Sequence, residues 1–344
     1  MENANTKNLQ NSYLRPPPIS QSHPWLIFCH GKNKQRQTFF SVSEGRYYVK
    51  VIPEMRNKII CCSRNGWLLP KDLDSQDCFF INFRTMERIQ LPQISLKIIS
   101  CIPSWLPPTN NNSCLFVLCE GNFLLMWVNG DTEFEVKDIE LEDEGDVLGE
   151  VILFKGAIYG LTYYGMKLVM ADNYVALSMQ FRNSIIKESL ESKRRSSLCY
   201  TTYMFKSCNE LMVLNQIDSH PCVTCTRALC FEIFWANFTK GTWEEVNNIG
   251  NRTIFLSSFS NEDANKYCFI TENEIGSGIK SNSIYFSKRR HLYVYDLEDR
   301  SISISLPCPI VSRHHSFQCW VEFWYSFQCW IEFWFLRILY SYWD

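Results

Sequence analysis

The residues of this chain best equipped for chemistry are its 16 cysteines and six histidines. Cys222-Val223-Thr224-Cys225 has the spacing with which two thiolates grip zinc, and His220 lies just before it. A closed tetrahedral site needs four ligands, and no second Cys-x-x-Cys supplies the rest, so no metal site is assigned. His314 and His315 are adjacent and fall on opposite faces of a strand, while His23, His30, His220 and His291 are scattered; all six are read as core or surface histidines. Gly276-Ser277-Gly278 lacks the Lys-Ser/Thr of a phosphate loop and the spacing of a nucleophile elbow, which leaves a flexible turn. The acidic run Glu140-Leu141-Glu142-Asp143-Glu144-Gly145-Asp146 offers charge for a basic partner or calcium. It lacks the alternating oxygen ligands of a calcium loop and is read as a solvated loop. Ser192-Lys193-Arg194-Arg195-Ser196-Ser197 has the composition of a nuclear import or phosphorylation site, against the plainer reading of a surface loop. No catalytic, cofactor-binding or metal residue is therefore assigned, and no cofactor is expected.

Composition narrows the partners. A formal charge of -2 and a pI near 6.3 give no basis for a nucleic-acid or anionic-membrane surface. Hydrophobic residues make up 46% of the chain and aromatics 15%, ample for a large β-rich core. The run from Met1 to Asn8 is polar and has no apolar signal core, so a cytoplasmic or nuclear location with reduced thiols is expected. Cys61, Cys62, Cys114, Cys119 and Cys230 then serve as small buried hydrophobes within strands. The sequons at Asn111, Asn237 and Asn251 carry no weight without a lumenal route.

The elements that would position any site are short strands. Cys61 to Pro92 reads as a complete unit: a strand at Gly66-Trp67-Leu68-Leu69, a polar turn, a strand at Cys78-Phe79-Phe80-Ile81-Asn82, a turn at Arg84 to Glu87, and a strand at Arg88-Ile89-Gln90-Leu91 stopped by Pro92. The same antiparallel meander recurs. Thr38 to Val42 and Arg46 to Val51 form a hairpin, and Cys114 to Cys119 and Phe123 to Val128 lead through an Asn129-Gly130 hairpin turn to Glu133 to Val136. Glu150 to Phe154 and Ala157 to Leu161 flank Lys155-Gly156. Asn183 to Ser197 is expected to be a surface loop or short helix. Strands resume at Leu198 to Phe205, Glu210 to Leu214, Ala228 to Phe234, Thr253 to Leu256 and Tyr267 to Ile270. Ser283 to Pro307 parallels the opening unit, with an aromatic strand ending in Asp296, a charged turn and a final strand ending in Leu306-Pro307. Repetition at this spacing predicts an all-β propeller of about six or seven blades.

An ordered set of segments carries a resemblance: His23-Pro24-Trp25-Leu26, Phe39-Phe40-Ser41-Val42, Ile52-Pro53-Glu54-Met55-Arg56-Asn57-Lys58, Cys61 to Leu68, Phe80-Ile81-Asn82 with Ile89 to Pro92, Ile284-Tyr285-Phe286 with Tyr293 to Leu297, and Ser316 to Val321. Together they resemble the plant KIB-type β-propeller family, the F-box-associated propellers. The resemblance implies a propeller over 22–324; the polar, Pro-rich 1–21 reads as a flexible lead-in and 325–344 as a duplicated aromatic tail. It implies a protein-interaction domain like the substrate-recognition part of plant F-box ubiquitin-ligase subunits, non-catalytic, binding protein targets on a propeller face. A Skp-type adaptor and a cullin would join only through an F-box. That helical module of about fifty residues finds no room in the polar, Pro-rich stretch before His23. The alternatives are an enzyme with a central-channel site and a non-functional truncated duplicate. Ser316 to Trp324 is nearly repeated as Ser326 to Trp334. One copy suffices to close a propeller, so the second is expected to be surplus.

Overall fold

The computed structural model describes residues 25–321 apart from 65, 84, 104–107, 112, 165, 172–177, 185, 187, 191–198, 208, 219–228, 258–266, 274–276, 289–290 and 308–316. Among the described residues, twenty-five strands form five hydrogen-bonded sheets, which divide into six blades. Blade I holds β1 (Trp25–His30), β2 (Arg36–Ser41) and β3 (Arg46–Lys50). Blade II holds β4 (Lys58–Arg64), β5 (Trp67–Asp72), β6 (Phe79–Asn82) and β7 (Arg88–Gln90). Blade III holds β8 (Ile98–Pro103), β9 (Cys114–Cys119), β10 (Phe123–Val128) and β11 (Glu135–Leu141). Blade IV holds β12 (Leu148–Phe154), β13 (Ala157–Thr162), β14 (Leu168–Ala171) and β15 (Ser178–Asn183). Blade V holds β16 (Cys199–Ser207), β17 (Glu210–Asp218), β18 (Leu229–Asn237) and β19 (Thr242–Glu245). Blade VI holds β20 (Arg252–Ser257), β21 (Tyr267–Glu272), β22 (Ser283–Lys288), β23 (His291–Asp296) and β24 (Ile302–Pro307). The last strand, β25 (Phe317–Val321), leaves this order and pairs antiparallel with β1, from Trp25 opposite Val321 to Cys29 opposite Phe317. It becomes the inner strand of blade I and closes the ring.

Six apolar clusters lie one between each neighbouring pair of blades, and they establish both the blade number and the closure. Trp25, Ile27 and Phe39 meet Leu68, Phe79 and Ile81 between I and II. Cys61, Trp67 and Phe80 meet Leu115, Val117 and Trp127 between II and III. Three further clusters join III to IV, IV to V and V to VI. The sixth returns to the start, with Phe255, Tyr285 and Val294 of blade VI against Leu26, Phe28 and Phe40 of blade I. Successive residues of one strand therefore enter different clusters: Phe79 and Ile81 face blade I while Phe80 faces blade III. This is why runs such as WLIF and CLFVLC are apolar throughout instead of alternating. The cluster between VI and I holds ten buried side chains. At about 1.5–3 kcal/mol for each large apolar side chain removed from water, separating those blades costs on the order of 10 kcal/mol, as much as the whole stability of an ordinary domain.

Two departures from plain radial repetition appear. The outer strands β11 and β15 pair in parallel, Asp138 opposite Ser178 through Leu141 opposite Phe181, which fuses blades III and IV into one eight-stranded sheet around their shared core. In blade VI, β20 pairs antiparallel with β21 on one side and parallel with β22 on the other, giving the order β21-β20-β22-β23-β24. The second goes with a different route into the blade. The chain turns back after Glu245, and Arg252 at the start of β20 bonds Ser207 Oγ at 2.8 Å and Glu210 Oε2 at 3.0 Å beside the β16–β17 turn. The chain thus enters blade VI from the face opposite to the one used in blades II to IV.

The turn between the last two strands is the most regular part of the repeat. It begins with Ser41, Asn82, Asn237 or Asp296, whose side-chain oxygen accepts a backbone N–H two or three residues on: Glu44, Thr85, Thr239 and Glu298 respectively. Four residues after each stands one with positive φ: Gly45, Met86, Gly241 and Arg300. The polar side chain supplies the acceptor that the reversed backbone needs, so one geometry tolerates four sequences.

Several expectations are corrected. The unit from Cys61 to Pro92 has four strands, because its inner strand β4 starts at Lys58. Gly130 has positive φ, but the connection after β10 runs over 129–134 and is not a two-residue hairpin turn. Of the stretch expected to be loop or helix, Asn183 ends a strand, and Ile186 and Leu190 are buried in the core between IV and V. No strand is expected at β14, β15 or β19. The second copy of the tail lies outside the described residues.

A half-closed ion pair fixes one turn of blade II. Burial works against ionisation of Asp72, but the Lys58 ammonium at 2.6 Å and the N–H groups of Ser75 and Asp74 outweigh it and hold the carboxyl down at about 2. A group whose folded pKa lies below its unfolded value of 3.8 stabilises the fold above that value, and the contribution disappears as pH falls through the folded one. Asp72→Asn is expected to lower stability at pH 7 by about 1–2 kcal/mol. In denaturant titrations the gap between variant and native chain should close between about pH 4 and pH 2; a gap independent of pH contradicts this assignment.

Candidate functional surface: the channel and the upper loop face

Six inner strands, β4, β8, β12, β16, β21 and β25, follow one another around the axis. Their sequences contain no histidine and two carboxylates, Glu150 and Glu272, but carry Cys61, Cys62, Cys101, Cys199, Cys268 and Cys319. Five described thiols, Cys29, Cys78, Cys101, Cys119 and Cys268, are poor nucleophiles. Burial pushes Cys29 and Cys78 up to about 12 and Cys119 to about 11. Burial, with the charge of Glu150 adding to it, lifts Cys268 well above the ordinary thiol range. Cys101 is raised likewise, first by its hydrogen bond to Cys62 and then by burial. Cys78 donates its S–H to Pro92 O at 3.0 Å. Cys61, Cys62, Cys114 and Cys119 are buried cysteines outside any disulfide, as expected, whereas Cys230 is only half-buried. Among the described residues, no three His, Cys, Asp or Glu side chains come together at metal-binding spacing.

The other chemically suggestive residues have structural places or lie outside the described residues. His30 Nε2 sits 2.7 Å from Thr38 Oγ1, and burial, helped by Arg36, lowers its pKa. His291 pairs through its backbone in β23. His23, His220, Cys222, Cys225, Lys193 to Arg195, His314 and His315 are outside the described residues. Gly278 is a packed turn, since at φ +71° a Cβ would come within 3.2 Å of Ser43 O in blade I. Asn237 of the second sequon is buried, its amide donating to Glu244 Oε1 at 2.8 Å.

Outward from the channel, the loops between blades and the loops between second and third strands share one face, here the upper face. Backbone hydrogen bonds knit them together: Asn57 N to Asn33 O, Glu120 N to Lys97 O, and Tyr163 N to Val147 O. This face carries Leu96, Val147, Tyr163 and Tyr164, all solvent-exposed, and also the acidic run over 140–146. The run is expected to be a solvated loop, but Glu140 and Leu141 belong to β11 and only 142–147 form the loop. Its neighbour, the turn after β13, comes from a segment some twenty residues on, and nothing local in either stretch signals the juxtaposition. Elsewhere, exposed apolar side chains sit on edge strands, Val49 on β3 and Ile302 and Ile304 on β24. No helix of the described chain is long and apolar enough to cross a membrane.

Comparison with known proteins agrees with this architecture. Residues 39–304 match the family described as KIB1-4 beta-propeller. The F-box/kelch-repeat protein At3g18720 of Arabidopsis thaliana is 25% identical over 252 residues, covering 69% of this chain and 63% of that protein. The chain thus spans somewhat under two thirds of that relative. The F-box/kelch-repeat protein At1g57790 of the same plant is 22% identical over 277 residues, covering 78% of this chain and 71% of that one. With six blades, a last strand that closes the first, and a match across most of its length, the chain belongs to the KIB1-4 β-propeller family.

Proposed function

We propose that this chain is a protein-interaction propeller that captures target proteins on one face, as the substrate-recognition part of an F-box ubiquitin-ligase subunit does. The observation that supports this reading is the family match across the propeller, together with relatives named as F-box/kelch-repeat proteins. The physics agrees with it. A closed ring of packed blades is a rigid support, and its loops vary without disturbing the six cores. The reading is non-catalytic: histidine-free inner strands, with the thiols of Cys101 and Cys268 held protonated, offer a hydrolase or lyase little to work with. A Skp-type adaptor and a cullin belong to the proposal only where an F-box accompanies the propeller. The location is cytoplasmic or nuclear. The propeller spans 22–324, and the tail over 325–344, which carries the second copy of the repeat, is surplus.

Affinity purification of the tagged full-length chain from plant cells, with mass spectrometry of what it retains, tests the reading. Target proteins in amounts comparable to the chain are expected. Recovery of chaperones alone would contradict a binding function and favour a misfolding duplicate.

A further inference from the structure

One part of the upper face combines three features of a recognition site: exposed aromatic area, a fixed backbone and an excess of negative charge. Tyr163 and Tyr164, in the turn after β13, are 57% and 63% exposed, and Val147 beside them is 36% exposed. The two rings stand edge to face with centroids 5.1 Å apart at 89°. Leaving two large aromatic side chains in water has no folding benefit, whereas Tyr is among the residues that carry most binding energy at protein interfaces.

The pair does not sit on a loose loop. Tyr163 N donates to Val147 O at 2.7 Å, and Asp146 Oδ1 accepts from both Tyr164 N and Val147 N at 2.9 Å. The turn is closed by Thr162 N to Lys167 O and by Lys167 N to Thr162 Oγ1, each 3.0 Å. The Tyr163 ring lies against the backbone at Gly149, where a Cβ would be 3.4 Å from its Cδ2. Little ordering is left to be done on binding, which favours affinity.

The charge around the pair is acidic. Glu142, Asp143 and Glu144 are exposed on the adjoining loop, with Asp146 half-buried. Lys167 is drawn to Asp143 at 2.7 Å, and the nearby Asp146 and Glu142 add to the field that holds its ammonium protonated. One lysine does not balance four carboxylates. A cationic side chain laid across the tyrosine faces would meet both the ring quadrupole and these carboxylates.

Resting on the proposal that the propeller binds proteins, we infer that Tyr163, Tyr164 and Val147, rimmed by Glu142, Asp143, Glu144 and Asp146, form the docking surface for a Lys/Arg-bearing segment of a partner protein. Aromatic faces take the alkyl stems and cationic heads, the carboxylates set the preference for basic over acidic sequences, and Val147 extends the apolar floor.

The test uses the full chain and two fluorescein-labelled peptides of twelve residues, one alternating Gly with Lys and Arg, the other alternating Gly with Glu, followed by fluorescence anisotropy at two salt concentrations. The basic peptide should bind and the acidic one should not. Tyr163→Ala with Tyr164→Ala should weaken binding about tenfold or more. Asp143→Asn with Glu144→Gln should weaken it and flatten its salt dependence. All four positions are exposed, so both variants should keep the circular dichroism and thermal midpoint of the native chain. Undiminished binding by the tyrosine variant, or no binding by the native chain, overturns the inference. Purification from plant cells separates it from the parent proposal. A tyrosine variant that retains every target of the native chain removes this surface and leaves the binding function standing, whereas a native chain that retains no target removes both.

Discussion

The pairing of β25 with β1 is the constraint on which the rest of this molecule depends. Every blade needs a neighbour on each side, because both faces of its middle strands are apolar; an open row of six blades would leave two such faces in water. The chain meets this need by drawing its last described strand into its first blade. Trp25 to Cys29 gain a hydrogen-bonded partner on their inner edge, and Leu26 and Phe28 are covered by Phe255, Tyr285 and Val294. A covalent route through the whole chain thereby ends where it began, and the loops on the upper face inherit fixed positions from the closed ring.

Much of the architecture is legible in the sequence because its determinants are local. Apolar runs of five or six residues between polar turns mark the strands, and the parallel between Cys61 to Pro92 and Ser283 to Pro307 reflects a real structural unit. Both stretches hold the outer three strands of a blade and share the side-chain-capped turn at Asn82 and Asp296. Other features escaped for physical reasons. β19, Thr-Trp-Glu-Glu, is a short outer strand with only Trp243 buried, so it has no apolar run to betray it. The parallel pairings of β11 with β15 and β20 with β22 are long-range choices that no window of sequence contains. Leu190 reads as part of a polar stretch, yet it is buried against the core between blades IV and V.

The same division separates scaffold from surface. The residues that resembled chemistry, the clustered cysteines above all, are mostly scaffold: small side chains that fit a crowded inner ring and stay protonated there. The residues best suited to recognition drew less notice, since an acidic loop and two adjacent tyrosines are each unremarkable alone. Folding places them side by side because an inter-blade loop and the loop between second and third strands of the next blade share a face. Function in such a ring is written in loops that the repeat brings together, and local motifs say little about it.

Hydrogen exchange at the amides of Trp25–His30 and of the blade VI strands tests the central claim most directly, compared between the full chain and a chain ending at residue 307. Closure by β25 predicts strong protection of β1 in the full chain. It also predicts loss of that protection in the shortened one, spreading to β20 and β22 as the cluster between blades VI and I opens. Equal protection of β1 in both chains would show that the ring does not depend on its last strand, and the account of how this fold closes would be wrong.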